Sequence, residues 1–66
     1  MRHTRAIEII NSEIHYIKHR IDYNNRQALI VPELKDYLRK CNSDLEFDIH
    51  ELEILLVAIK EKLNDT

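Results

Sequence analysis

Glycine is absent from this chain, proline occurs once, as Pro32, and Cys41 is the sole cysteine. Without glycine no phosphate-cradling loop can form, because such loops need backbone positions free of a Cβ. A single cysteine excludes an intrachain disulfide, and no Cys/His pattern has the spacing of a structural zinc site. Long apolar runs are missing too. The longest stretches from Ile54 to Ile59, far short of the roughly 20 residues of a membrane span. The N-terminus lacks the apolar stretch of a signal peptide, so the expectation is a cytoplasmic location, a reduced Cys41 and no membrane.

Turns must then be made without glycine. Asparagine is the next most tolerant residue of the left-handed conformation that ends helices, which makes Asn24, Asn25, Asn42 and Asn64 the candidate stops. Abundant isoleucine and asparagine beside absent glycine point to an AT-rich genome, such as that of a low-GC bacterium or a phage.

What is present is a patterned chain of 66 residues, 44% hydrophobic and 33% charged. That is too apolar and too regular for a disordered tail. It is also short: a chain of this size buries only about 60% of the surface it exposes when unfolded. Below roughly 70–80 residues a core seldom supplies more than ~3–5 kcal/mol. With no disulfide or metal to compensate, packing or association must stabilise it.

Ile7, Ile10, Ile14, Ile17 and Ile21 recur at alternating spacings of three and four, the seam of a coiled-coil-like helix. Isoleucine is not a strong helix former, so packing rather than propensity must hold this helix, over about 5–24 with Thr4 as N-cap. Residues 26–31 read as a connector, since Ile30 and Val31 precede a proline. Pro32 suits the first turn of a short second helix, about 32–41, with Leu34, Tyr37, Leu38 and Cys41 on one face.

A third helix, about 49–63, has a capping box in Asp48 and Glu51 and a hydrophobic staple in Phe47 and Leu52. Ile49, Leu52, Leu56, Ile59 and Leu63 give it the same three-four spacing, and Lys60 and Lys62 favour its C-terminal end. The expected fold is an all-α, single-domain, three-helix unit spanning 1–66. Its two long helices lie side by side with the short one between them, and Ile10, Ile14 and Ile17 are buried against Leu52, Leu56 and Ile59.

Catalysis has no foothold in these residues. Ser12, Ser43, Cys41 and His50 are scattered rather than arranged as nucleophile and base, and the carboxylates of Asp44, Glu46, Asp48, Glu51 and Glu53 read as caps and solvated surface. No enzyme activity and no cofactor are expected. His15 and His19 stand four apart, as two ligands of a helical zinc site would. The glutamate that follows the first histidine of a metalloprotease motif is absent, though, and both fall on the side opposite the isoleucine seam, so no metal is expected.

Charge is polarised rather than basic. Residues 1–42 carry eight Lys/Arg against five Asp/Glu, and residues 43–66 carry two against seven. Arg2, Arg5, Lys18 and Arg26 cluster near the first helix and would supply the contacts of a dimeric DNA-binding regulator, the alternative reading. Against it, the helix that would enter the major groove opens on Asp48, Glu51 and Glu53, which phosphates repel.

Apolar residues that one face cannot hold favour a protein-interaction module, a regulator of a larger protein. Ile54, Val57 and Ala58 form an i, i+3, i+4 patch off the main seam, and Ile9, Tyr16 and Tyr23 form a second row on the first helix. Either the third helix is sandwiched between the other two, or these residues face a protein partner, with a homodimer the expected assembly.

Overall fold

The computed structural model describes the backbone of residues 2–64 and the side chains of 4–63. It contains two long helices, α1 over Arg2–Ile30 and α2 over Lys35–Asn64, joined by a 3-10 turn at Pro32–Leu34. No strand occurs among the described residues. The all-helical expectation holds. The three-helix expectation does not: the short helix read over 32–41 opens as the 3-10 turn and from Lys35 runs without a break into the stretch read as the third.

The chain reverses at Val31. Its amide still bonds to the Gln27 carbonyl at 2.8 Å, closing the last turn of α1. Its own backbone is extended, at φ −124° and ψ 84°, because a following proline disfavours the helical region. Pro32 then opens the 3-10 turn, where its missing N–H leaves no gap, and the Lys35 amide caps that turn on the Pro32 carbonyl. No described residue takes a positive φ. The turn needs neither glycine nor a left-handed asparagine.

Asn24, Asn25 and Asn42 are not stops, since all three lie inside helices. Asn24 occupies the α1 seam three residues after Ile21 and four before Ala28, and Asn42 occupies the α2 seam between Leu38 and Leu45. Across the hairpin the Asn24 side-chain amide donates to Oδ1 of Asn42, and the Asn42 amide donates to Oδ1 of Asn25, both at 2.9 Å. Pairing satisfies groups that would otherwise compete with the helix backbone. A polar residue at a seam position also fixes register, because a slip would leave its amide against apolar neighbours.

That register sets the helices antiparallel, with Ile21 level with Leu45, Ile17 with Ile49, Ile14 with Leu52 and Ile10 with Leu56. Ile17 and Leu52 line one groove together. Ile10, Ile14, Ile17 and Leu45 are the buried side chains, at 5–8% exposure, so the expected burial of the three isoleucines is observed. Leu38, Cys41, Ile49, Leu52, Leu56, Ile59 and Leu63 are half-buried. The core is therefore a line along one seam rather than a volume.

Asp48 caps nothing, being in the interior of α2, and Phe47 is exposed instead of stapled to Leu52. The physical reason is seam continuity. From Leu38 through Asn42, Leu45, Ile49, Leu52, Leu56 and Ile59 to Leu63 the four-three spacing never breaks, and no glycine or proline interrupts it. Once α1 lies alongside, leaving the helix at 42–48 would expose Leu45 and release the asparagine pair. Leu34 and Tyr37, expected on one face with Leu38 and Cys41, are exposed, whereas Leu38 and Cys41 are half-buried.

The hairpin measures 52 × 15 × 10 Å, and its Cα radius of gyration is 15.4 Å. A compact 66-residue domain would have about 11 Å.

Candidate interaction surfaces

Each helix of a two-helix hairpin has one neighbour, so only one stripe of each is covered. On α1 the stripe is the isoleucine seam. Displaced from it by two positions after Ile7, Ile14, Ile21 and Ala28 lies a second row: Ile9, Tyr16, Tyr23 and Ile30, at 57, 58, 57 and 70% exposure. Three of these were expected from sequence. Ile30 was not, because 26–31 read as a connector, yet the seven-residue spacing from Ile9 through Tyr16 and Tyr23 leads directly to it.

On α2, Ile54 and Val57 are just over half exposed, and Ala58 is exposed. The sandwiched alternative is thereby removed, for no third helix exists among the described residues to cover them. Ile54 and Val57 line a shallow groove with His50 and Glu53. Leu55, beside them, is also exposed and broadens the apolar area that the spacing of Ile54, Val57 and Ala58 marks out.

The polar residues sort by side. Glu13, Asp48 and Glu51 share the groove with Ile17 and Leu52, giving one flank of the hairpin an acidic centre. Asn25, Lys35 and Arg39 line a second groove with Ala28, Leu38 and Asn42, close to the turn. Among the described residues no buried side-chain polar atom lacks a hydrogen-bond partner. Polar satisfaction is complete where apolar satisfaction is not.

Arg5, Lys18 and Arg26 are exposed on α1, while the side chain of Arg2 lies outside the described residues. The Arg20 guanidinium sits 6.0 Å from the ring centroid of Tyr16, at the limit of a cation–π contact. His15 and His19 are exposed and pack edge to face, with ring centroids 5.4 Å apart. No group of three or more His, Cys, Asp or Glu among the described residues is placed to hold a metal ion. No helix among them is long and apolar enough to cross a membrane.

The chain presents 5552 Å² of accessible surface, whereas a compact folded monomer of 8.0 kDa would present about 4,450 Å². The surplus is on the order of 1,100 Å² and follows from the elongated shape of the hairpin. No protein-family model matches the chain, and neither a curated protein nor a solved structure gives a significant match.

Proposed function

We propose that this chain is a helical protein–protein interaction module that acts by binding, not catalysis, and regulates the protein it engages. The observation that carries the reading is the pair of apolar surfaces left uncovered by the hairpin: Ile9, Tyr16 and Tyr23 on α1, and Ile54, Val57 and Ala58 on α2. Ile54, Val57 and Ala58 make one contiguous apolar area, of the kind that marks contact sites on small proteins; on α1 the row alternates with polar residues such as Glu13 and Arg20, and its tyrosines are of a type enriched at such sites. A second copy of the chain and a larger target are both surfaces of the right character.

DNA binding through Arg2, Arg5, Lys18 and Arg26 has less in its favour. A helix-turn-helix would need a break near 42–48, where α2 is continuous, and for contacts made by α1 itself Glu8, Asp22 and the acidic groove interrupt the basic residues.

Site-specific photo-crosslinking in cells that make the protein tests the two readings together. A photoreactive residue in place of Tyr16 or Val57 should yield protein adducts, and one in place of Lys18 or Arg26 should yield no nucleic-acid adducts. Nucleic-acid adducts from the basic positions, lost steeply with added salt, with no protein adducts from 16 or 57, would overturn the proposal.

A further inference from the structure

We infer that the outer row of α1 is the contact surface for a second copy of this chain, the two α1 helices running antiparallel about a two-fold axis near His19 and Arg20. The inference rests on the interaction-module reading and names the occupant of one of its surfaces.

The side chains of the row stand in a palindromic order. Read from either end it is isoleucine, tyrosine, tyrosine, isoleucine, with seven residues at every step. A two-fold interface is self-complementary: if one residue contacts another across it, the reverse contact must also form. An antiparallel pairing centred between His19 and Arg20 sets Ile9 level with Ile30 of the second copy and Tyr16 level with its Tyr23, so every member of the row meets a member. The apolar residues of α2 have no such symmetry: seven residues after Phe47 comes Ile54, but seven further comes Glu61 and seven before comes Lys40.

Period and length agree with this. Inner seam and outer row share the seven-residue repeat, so a supercoil that kept one in line would keep the other in line as well. From Ile9 to Ile30 the row runs about 32 Å at 1.5 Å per residue, about three quarters of the length of α1. A stable dimer removes about 600–1,000 Å² from each partner. With the four residues of the row 57–70% exposed, such an area can be covered without unpacking the hairpin.

Charge decides how the hairpins lie. Stacked squarely face to face, the copies would oppose their grooves of Glu13, Asp48 and Glu51, and like charges set against each other are costly. Pairing α1 with α1 and leaving each α2 on the outside keeps those carboxylates apart. Each copy brings an Arg20 to the axis, and the position of each guanidinium over its own Tyr16 ring draws the two charges apart, toward the preceding turns.

Sedimentation equilibrium of the full chain from micromolar to millimolar concentration should approach twice the 8.0 kDa chain mass. Tyr23→Lys should weaken association by roughly a hundredfold or more, since a lysine there meets an apolar seam. Because Tyr23 is exposed within one chain, its helicity by circular dichroism should be kept, and Val57→Lys should leave the dimer intact. On a Cys41→Ser background, mixing Tyr16→Cys with Tyr23→Cys should give a disulfide between the two variants. Tyr16→Cys alone should not pair with itself, being offset by about 10 Å along the axis when a disulfide spans at most ~7 Å between Cα atoms.

Self-pairing of Tyr16→Cys, or association untouched by Tyr23→Lys, would overturn the inference. A monomer at every concentration would overturn it too. If the photoreactive residue at 57 still captured another protein in that case, the interaction-module reading would stand while the second copy fell. No protein adduct from 16 or 57 would remove both.

Discussion

Two rows run along α1 with the same repeat and opposite surroundings. Ile10, Ile14 and Ile17 are 5–8% exposed, while Ile9, Tyr16, Tyr23 and Ile30 are 57–70% exposed. Ile9 and Tyr16 each stand one position, about 100°, before a buried isoleucine and the row stands two positions, about 200°, after the other half of the seam, which turns it off the α2 contact. Periodicity therefore picks out both rows. Topology decides which of them the same chain covers.

The sharpest test of the contrast is one deletion made in each row. Ile14→Ala should destabilise the chain by about 2–5 kcal/mol, as removal of a buried branched side chain does. The lower part of that range is expected, because a one-seam core has room to collapse around the gap. Ile9→Ala, the same chemical change on the outer row, should stay within about 0.5 kcal/mol at a dilution where copies are separate. Urea unfolding of both variants under that condition measures the difference, and equal losses would show that the two rows are not distinct. At higher concentration the Ile9→Ala loss should grow, since anything that binds only the folded chain adds to its apparent stability.

A smaller effect is expected at the polar end of the inner row. Asn42→Ala removes both hydrogen bonds that tie α2 to Asn24 and Asn25. A net hydrogen bond is worth about 0.5–1.5 kcal/mol, and the partners left behind are open enough to be hydrated, so a loss near 1 kcal/mol is the expected outcome in urea unfolding. Asn42→Leu sharpens the point. It should raise stability while loosening register, which distance measurements between labels at Thr4 and Lys62 would detect as a second population. A single narrow distance in that variant would show that the apolar seam alone sets register.

Much of the fold was legible. The isoleucine spacing in α1 and the leucine–isoleucine spacing after Ile49 both named seam residues that the structure places along the helix–helix contact. What escaped was how far each helix runs. Asparagines at 24, 25 and 42 resemble stops when each is taken alone, since local preference favours turns there. Paired across the hairpin they become part of the seam, and that pairing joins positions 17 and 18 residues apart. The outer surfaces were partly legible as well: Ile9, Tyr16, Tyr23, Ile54, Val57 and Ala58 are all exposed, but Ile30 was hidden behind a helix end set too early. Whether those residues were covered by a third helix depended on the connection at 42–48.

That connection is where the smallest predicted effect carries the most information. As the N-cap of a separate third helix, Asp48 would lose about 1 kcal/mol on replacement by alanine. In the continuous α2 it sits mid-helix with its side chain exposed, where alanine is the better helix former by up to about 0.7 kcal/mol. It also shares a groove with Glu13 and Glu51, so losing its charge relieves repulsion that is modest at an exposed site. Both contributions have the same sign, and Asp48→Ala is expected to stabilise the chain by about 0.5 kcal/mol. The two architectures thus predict opposite directions for one substitution. Urea unfolding of Asp48→Ala beside the unmodified chain, at matched concentration, reads the direction. A loss near 1 kcal/mol would mean that α2 breaks before residue 49 and that the apolar surface of Ile54, Val57 and Ala58 belongs to a differently packed helix.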